Sequence, residues 1–113
     1  MTKNTSIEEF NKWLVFDEGE HLEFKKASIQ FDRDKELPDY CAALANEGGG
    51  KLILGVTNEH IVVGTKAFAG NHNRLSIELL NKLGIRVNVE EIEHPQGRVL
   101  IFHIPSRPVG NVI

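Results

Sequence analysis

Three consecutive glycines, Gly48-Gly49-Gly50, separate a helical pattern from a strand pattern, and that order limits what the chain can become. Before them, Leu37, Tyr40, Cys41 and Leu44 recur on one helical face, and Ala42, Ala43 and Ala45 let that helix lie close to a sheet. Pro38 fits only a first turn, so the helix starts between Lys35 and Asp39. After the glycines, residues 51–56 are apolar, β-branched and bounded by glycine, the pattern of a buried strand. The glycines then serve as a left-handed helix cap, with one to spare for close backbone packing. A phosphate cradle needs the opposite order, strand then glycine loop then helix, so that free N–H groups face the anion. Here a helix C-terminus would present carbonyls, which repel phosphate. Ala45 stands where a Walker motif needs its first glycine, and Leu52 where it needs Ser or Thr. Nucleoside triphosphate hydrolysis is therefore not expected.

The remaining segments extend this core unit. Residues 5–14 read as a short helix, with Ser6 and Glu9 as a capping box and Ile7, Phe10 and Leu14 on one face. Asp17-Glu18-Gly19-Glu20 breaks it, residues 21–25 alternate as a strand, and residues 28–34 form a polar loop. After a turn at Thr57-Asn58-Glu59-His60, residues 61–63 make a further strand ended by Gly64. Residues 65–71 are irregular. Asn73 then caps a helix carrying Leu75, Leu79 and Leu83 and stopped by Gly84. Residues 86–94 and 98–104 form a hairpin around the three-residue turn Pro95-Gln96-Gly97, which sets His103 opposite Val89. Ile92 is out of phase with Val87 and Val89, so a bulge is expected near Glu90 or Glu91. The last strand is apolar on both faces and so is central and covered on both sides. The expected class is α+β: a mixed sheet of about five strands with hairpins, two main helices and a short N-terminal helix. A length of 113 residues allows one domain. The expected division is an N-terminal helical segment, 1–18, and a domain over 19–113. The chain stops on Val112-Ile113, an apolar pair that suggests a domain truncated at its C-terminal end and a missing C-terminal domain.

Charge narrows the function. Thirteen Lys+Arg against 16 Asp+Glu give a net −3, so no overall cationic field attracts nucleic acid or anionic lipid. Any contact with nucleic acid must come from a local patch. Cys41 is the only cysteine, so no internal disulfide can form. No apolar run approaches the roughly 20 residues of a membrane span, and the N-terminus does not read as a signal peptide. The expected location is cytoplasmic, without a membrane partner.

Two constellations could carry chemistry. Asp17, Glu18, Glu20 and Glu23 precede Lys25-Lys26, and carboxylates beside a lysine are the material of a divalent-metal phosphodiesterase. The plainer reading is a solvated loop with a surface Glu–Lys pair. The five histidines have no metal-binding spacing, and one cysteine supplies no thiolate pair, so they suggest no metal site. The second constellation is cationic. Lys25, Lys26 and Lys51 lie on or beside strands that could be neighbours, and their convergence would make a phosphate-contacting stripe, with Arg33 nearby. Glu90, Glu91 and Glu93 would hold the excess negative charge elsewhere.

The segment Gly19-Glu20-His21-Leu22-Glu23-Phe24-Lys25, then Ala42 through Val56 with Ala45-Asn46-Glu47-Gly48-Gly49-Gly50 at its centre, resembles the AlbA-like domain of the Schlafen family. Val62-Val63-Gly64-Thr65 and Ile104-Pro105-Ser106-Arg107-Pro108 continue the likeness. The resemblance implies an α+β fold and nucleic-acid binding, in bacteria as the N-terminal part of transcriptional regulators. Some animal relatives cleave structured RNA with two Glu and one Asp around a metal. Those positions fall here on Glu23, on Glu18 with Glu20 as alternative, and on Asn58, which keeps an oxygen but loses a charge. The leading expectation is a DNA-binding module, DNA preferred to RNA, that contacts the phosphate backbone through Lys25, Lys26, Lys51, Gly48, Gly49 and Arg33 without a cofactor. One alternative is a Schlafen-type endoribonuclease using magnesium or manganese at Glu18, Glu20, Glu23 and Asn58. Another is an assembly or ligand-sensing module, in which a sheet edge would favour a homodimer.

Overall fold

A computed structural model describes residues 5–15 and 21–107. Expectations placed on Asp17, Glu18, Gly19, Glu20 and the last six residues lie outside these. The elements run α1 (Ile7–Val15), β1 (Leu22–Lys25), α2 (Glu36–Asn46), β2 (Gly50–Leu54), α3 (Leu75–Leu83), β3 (Asn88–His94) and β4 (Gly97–Ile104). The sheet order is β1-β2-β4-β3. β1 and β2 pair in parallel across α2, and the other neighbours are antiparallel. The α+β class with a mixed sheet holds.

β4 lies inside the sheet, as its two apolar faces require. Leu100, Phe102 and Ile104 pack with Leu37, Cys41 and Leu44 of α2 and with Leu75 and Leu79 of α3. Val99 and Ile101 pack on the other face with Phe24, Ile53, Ile92 and Phe10 of α1. Phe10 is fully buried. The capping box forms at the start of α1: the Glu9 N–H donates to Ser6 Oγ at 3.0 Å, and the Ser6 N–H to Glu9 Oε1 at 3.3 Å. Histidines then fasten the helix to the sheet. His60 Nδ1–H donates to the Leu14 carbonyl at 2.9 Å, and His94 Nε2–H to Asn11 Oδ1 at 2.8 Å. The Gln96 N–H donates to the other ring nitrogen of His94, which fixes that tautomer.

Four expectations change. The sheet has four strands rather than five. Gly55, at φ +103°, turns the chain out of the ladder after Leu54. Both sides of β2 are already taken, so residues 61–63 find only a single bridge, Val62 to Val56. The hairpin turn has two residues, because His94 pairs with Gly97; His103 consequently faces Asn88, not Val89. There is no bulge at Glu90 or Glu91, since the β3–β4 register is unbroken. Ile92 changes phase because it packs towards α1, whereas Val87 and Val89 pack towards α2 and α3. Asn73 is not a cap. It lies within a 3-10 turn, His72–Arg74, that leads into α3 with no side-chain cap at its start.

Two outcomes follow from this packing. Phe10→Ala removes the only fully buried side chain of α1 and should lower unfolding free energy by about 3–5 kcal/mol in urea titrations followed by Trp13 fluorescence. Burial pushes the Cys41 thiol up to about 12 from 9.0. Below pH 9 both states keep the proton and the thiol contributes nothing to pH dependence. Between pH 9 and 12 the unfolded chain ionises while the folded one does not, so stability falls as pH rises. Comparing urea midpoints at low and high ends of that window, the loss should be smaller in Cys41→Ala.

Candidate nucleic-acid interface

Helix α2 ends by the mechanism expected of its glycines. Gly48 has φ +103° and its N–H donates to the Ala45 carbonyl, while the Gly49 N–H donates to the Leu44 carbonyl at 2.8 Å. These two bonds are a Schellman cap. Gly49 is also required by proximity: a Cβ there would come within 2.9 Å of the Ile104 carbonyl oxygen. The Gly48 position, by contrast, opens onto empty space. The glycine N–H groups are thus engaged in the cap, and what the loop offers a ligand is a floor without side chains.

That floor belongs to a cleft of about 460 Å³ at one end of the sheet. The register explains its composition. Lys51 pairs with His103, and His103 with Asn88, so one row crosses β2, β4 and β3. Arg86 precedes β3, and His21 precedes β1, opposite Gly50; both line the cleft with Ser106. The Lys51 ammonium sits 5.0 Å from the centroid of the Trp13 ring, which places it on the α1 face. Among the described residues Glu47 is the one carboxylate in the lining, 3.5 Å from His21 Nδ1. His103 Nε2 is 2.8 Å from Glu90, a half-buried pair beside the cleft. Among the described residues, two guanidinium or ammonium groups and two imidazoles therefore share a cleft with one acid.

The cationic stripe expected from Lys25, Lys26 and Lys51 does not form. In the parallel register Lys51 stands beside Leu22 and Lys25 beside Leu54, at opposite ends of the ladder. They also project to opposite faces. Leu22 and Phe24 face α1, so Lys25 faces α2, where its ammonium lies 4.7 Å from the Tyr40 ring centroid and 3.8 Å from Glu23. A hydrogen bond that the Lys25 ammonium donates to Tyr40, with Glu23 and Glu36 adding, holds it above its ordinary 10.5 despite partial burial. Lys26 is exposed at that same far end. Arg33 donates to Glu78 at 2.8 Å and covers the Phe68 ring.

Of the acidic triad, Glu23 and Asn58 fall among the described residues. Glu23 shares the α2 face with Lys25, whereas the turn carrying Asn58 is drawn to the α1 face by His60, whose ring packs on Phe24. Glu18 and Glu20 lie outside the described residues. Among the described residues no three His, Cys, Asp or Glu side chains are grouped to hold a metal ion.

Arg86, His21, Asn88 and Ser106 are the cleft residues the sequence reading missed. A two-residue turn, from Pro95-Gln96, would have set Asn88 beside His103.

The sequence profile of the family described as Schlafen, AlbA_2 matches residues 18–111. The chain belongs to this family. Two solved structures show the same fold. The DIP2311 protein from Corynebacterium diphtheriae superposes with a TM-score of 0.66 at 18% identity, over 89% of this chain and 22% of that one. The N-terminal domain of a protein described as related to the ATP-dependent DNA helicase RecG, from Nitrosomonas europaea, gives 0.55 at 21% identity, over 96% and 76%. The AlbA_2 chain therefore spans about a fifth of the length of the first relative. No helix among its described residues is long and apolar enough to cross a membrane.

Proposed function

We propose that this AlbA_2 chain is a nucleic-acid-binding module that grips the phosphate backbone at the Lys51–Arg86 cleft. The observation that carries this reading is the concentration of cationic and imidazole groups over a glycine floor on a molecule whose net charge is −3. Gly48 and Gly49 let a backbone approach closely, and Lys51 and Arg86 supply the charge. The contact is with phosphate rather than base edges, because the lining offers few groups arranged to read bases. DNA is the proposed target in preference to RNA. The proposed setting is the cytoplasm, in a bacterial transcriptional regulator where this domain works beside others. Membership of the Schlafen AlbA_2 family supports the nucleic-acid reading. Lys25 and Arg33 take no direct part, because Glu23 with Tyr40 and Glu78 already neutralise or cover them.

Titration of labelled duplex and single-stranded oligonucleotides tests this, using fluorescence anisotropy between about 50 and 200 mM salt. Binding should be weak and fall steeply with salt. Lys51→Ala and Arg86→Ala should each reduce the salt slope by about one. Lys25→Ala should leave it unchanged. Absence of binding at low salt, or a slope that survives the double Lys51/Arg86 substitution, would overturn the assignment.

A further inference from the structure

Among the described residues, β3 ends one side of the sheet and pairs only with β4. In an antiparallel ladder, alternate residues of such a strand turn their N–H and C=O groups outward. Among the described residues, no backbone group outside the hairpin hydrogen-bonds to residues 88–93. Edges of this kind are ordinarily shortened, bent by a bulge or covered. Here the strand is seven residues long and its register is unbroken.

The edge lies in a groove of about 620 Å³. Thr5 and Ile7, at the start of α1, form one bank, and His72 and Ser76, at the start of α3, form the other. The groove has a definite charge: among the described residues Glu90, Glu91 and Glu93 line it, and no Lys or Arg does. Glu90 is tied to Thr5 and His103, and Glu91 to Arg98, so these carboxylates are held in place. Glu93 is exposed.

We propose that this edge is a docking site for an extended basic segment of another protein, which adds to the sheet as a fifth strand alongside β3. Backbone pairing would supply affinity, and alternate side chains would supply selectivity. Glu91 and Glu93 share one face of β3, with Ile92 on the other. Glu91 is already paired with Arg98, so the exposed Glu93 is the carboxylate that selects a basic residue in the added strand, next to an apolar residue on the Ile92 face. A second copy of this chain is a poor occupant. Antiparallel β3–β3 pairing would bring two sets of three glutamates together, and like charges opposed across strands are destabilising. The same carboxylates repel nucleic acid, so this site is separate from the Lys51–Arg86 cleft.

The probe is a blocked hexapeptide alternating lysine and valine, added to the isotopically labelled full chain, with a glutamate–valine hexapeptide as control. Amide shifts and hydrogen exchange are followed by NMR. Binding near about 1 mM or tighter is expected, with slowed exchange at outward-facing amides of β3. Glu93→Lys, an exposed change that should leave the free spectrum folded, should weaken binding about fivefold. No shifts at several millimolar peptide would overturn the proposal. So would shifts without slowed exchange, equal binding of the glutamate peptide, or a dimer formed through β3 in the peptide's absence.

Discussion

β4 has no polar face. Val99 and Ile101 point one way and Leu100, Phe102 and Ile104 the other, and all five are buried. A strand of this kind is stable only where both faces of its sheet are covered and neighbours flank it on both sides. Helices α2 and α3 cover one face, and that need is met by sequence-local means, since α2 joins two neighbouring parallel strands. The other face depends on α1. This nine-residue helix is too short to be stable alone in water. It persists through Phe10 in the core and through bonds from His60 and His94 to its last turns. The two-sided hydrophobicity of one strand thus dictates the docking of a helix about ninety residues earlier in the chain.

That docking also shapes the cleft. The Trp13 ring stands between the Lys51 ammonium, at 5.0 Å, and the His103 ring, at 6.4 Å and roughly perpendicular. The negative face of the ring attracts the Lys51 ammonium and helps to hold it at the end of the sheet. The same helix that completes the core therefore presents a charged group at the end of the sheet. Packing and the proposed site share this side chain, which is why a change in α1 seating would be felt in the cleft.

Much of the fold was legible because its signals are local. The Ser6–Glu9 capping box, the glycine stop after α2, the Gly84 stop after α3 and the double-faced β4 all follow from a few adjacent residues. The errors arose where a local pattern had several tertiary solutions. Ile61, Val62 and Val63 alternate correctly, yet a strand needs a free neighbour, and β2 had none to give. Ile92 looked like a bulge because alternation was read against one buried face, while this sheet has two. The site was less legible for the same reason. Whether Lys25 and Lys51 meet depends on parity in two strands and on their parallel register, which together put the two at opposite ends and on opposite faces. Arg86 carried no motif at all; only the register that places β3 beside His103 brings it to the cleft.

The fold also explains how opposite charges coexist within one side of a small sheet. The cationic cleft and the acidic groove adjoin, and Asn88 and His103 line both. His103 faces Lys51 across β4 and β2, and it bonds Glu90 of β3. The boundary between the two surfaces is therefore the Asn88 amide and the imidazole–carboxylate pair of His103 and Glu90, with His103 standing in the register between Lys51 and the glutamates of β3. Had Glu90 turned to Lys51 instead, it would have left the groove with one acid fewer and put a carboxylate into the cleft. An adjacent-strand register that puts histidine between them keeps both fields intact. In a chain with net charge −3, that local segregation, rather than the total, decides which surface can meet an anion and which a cation.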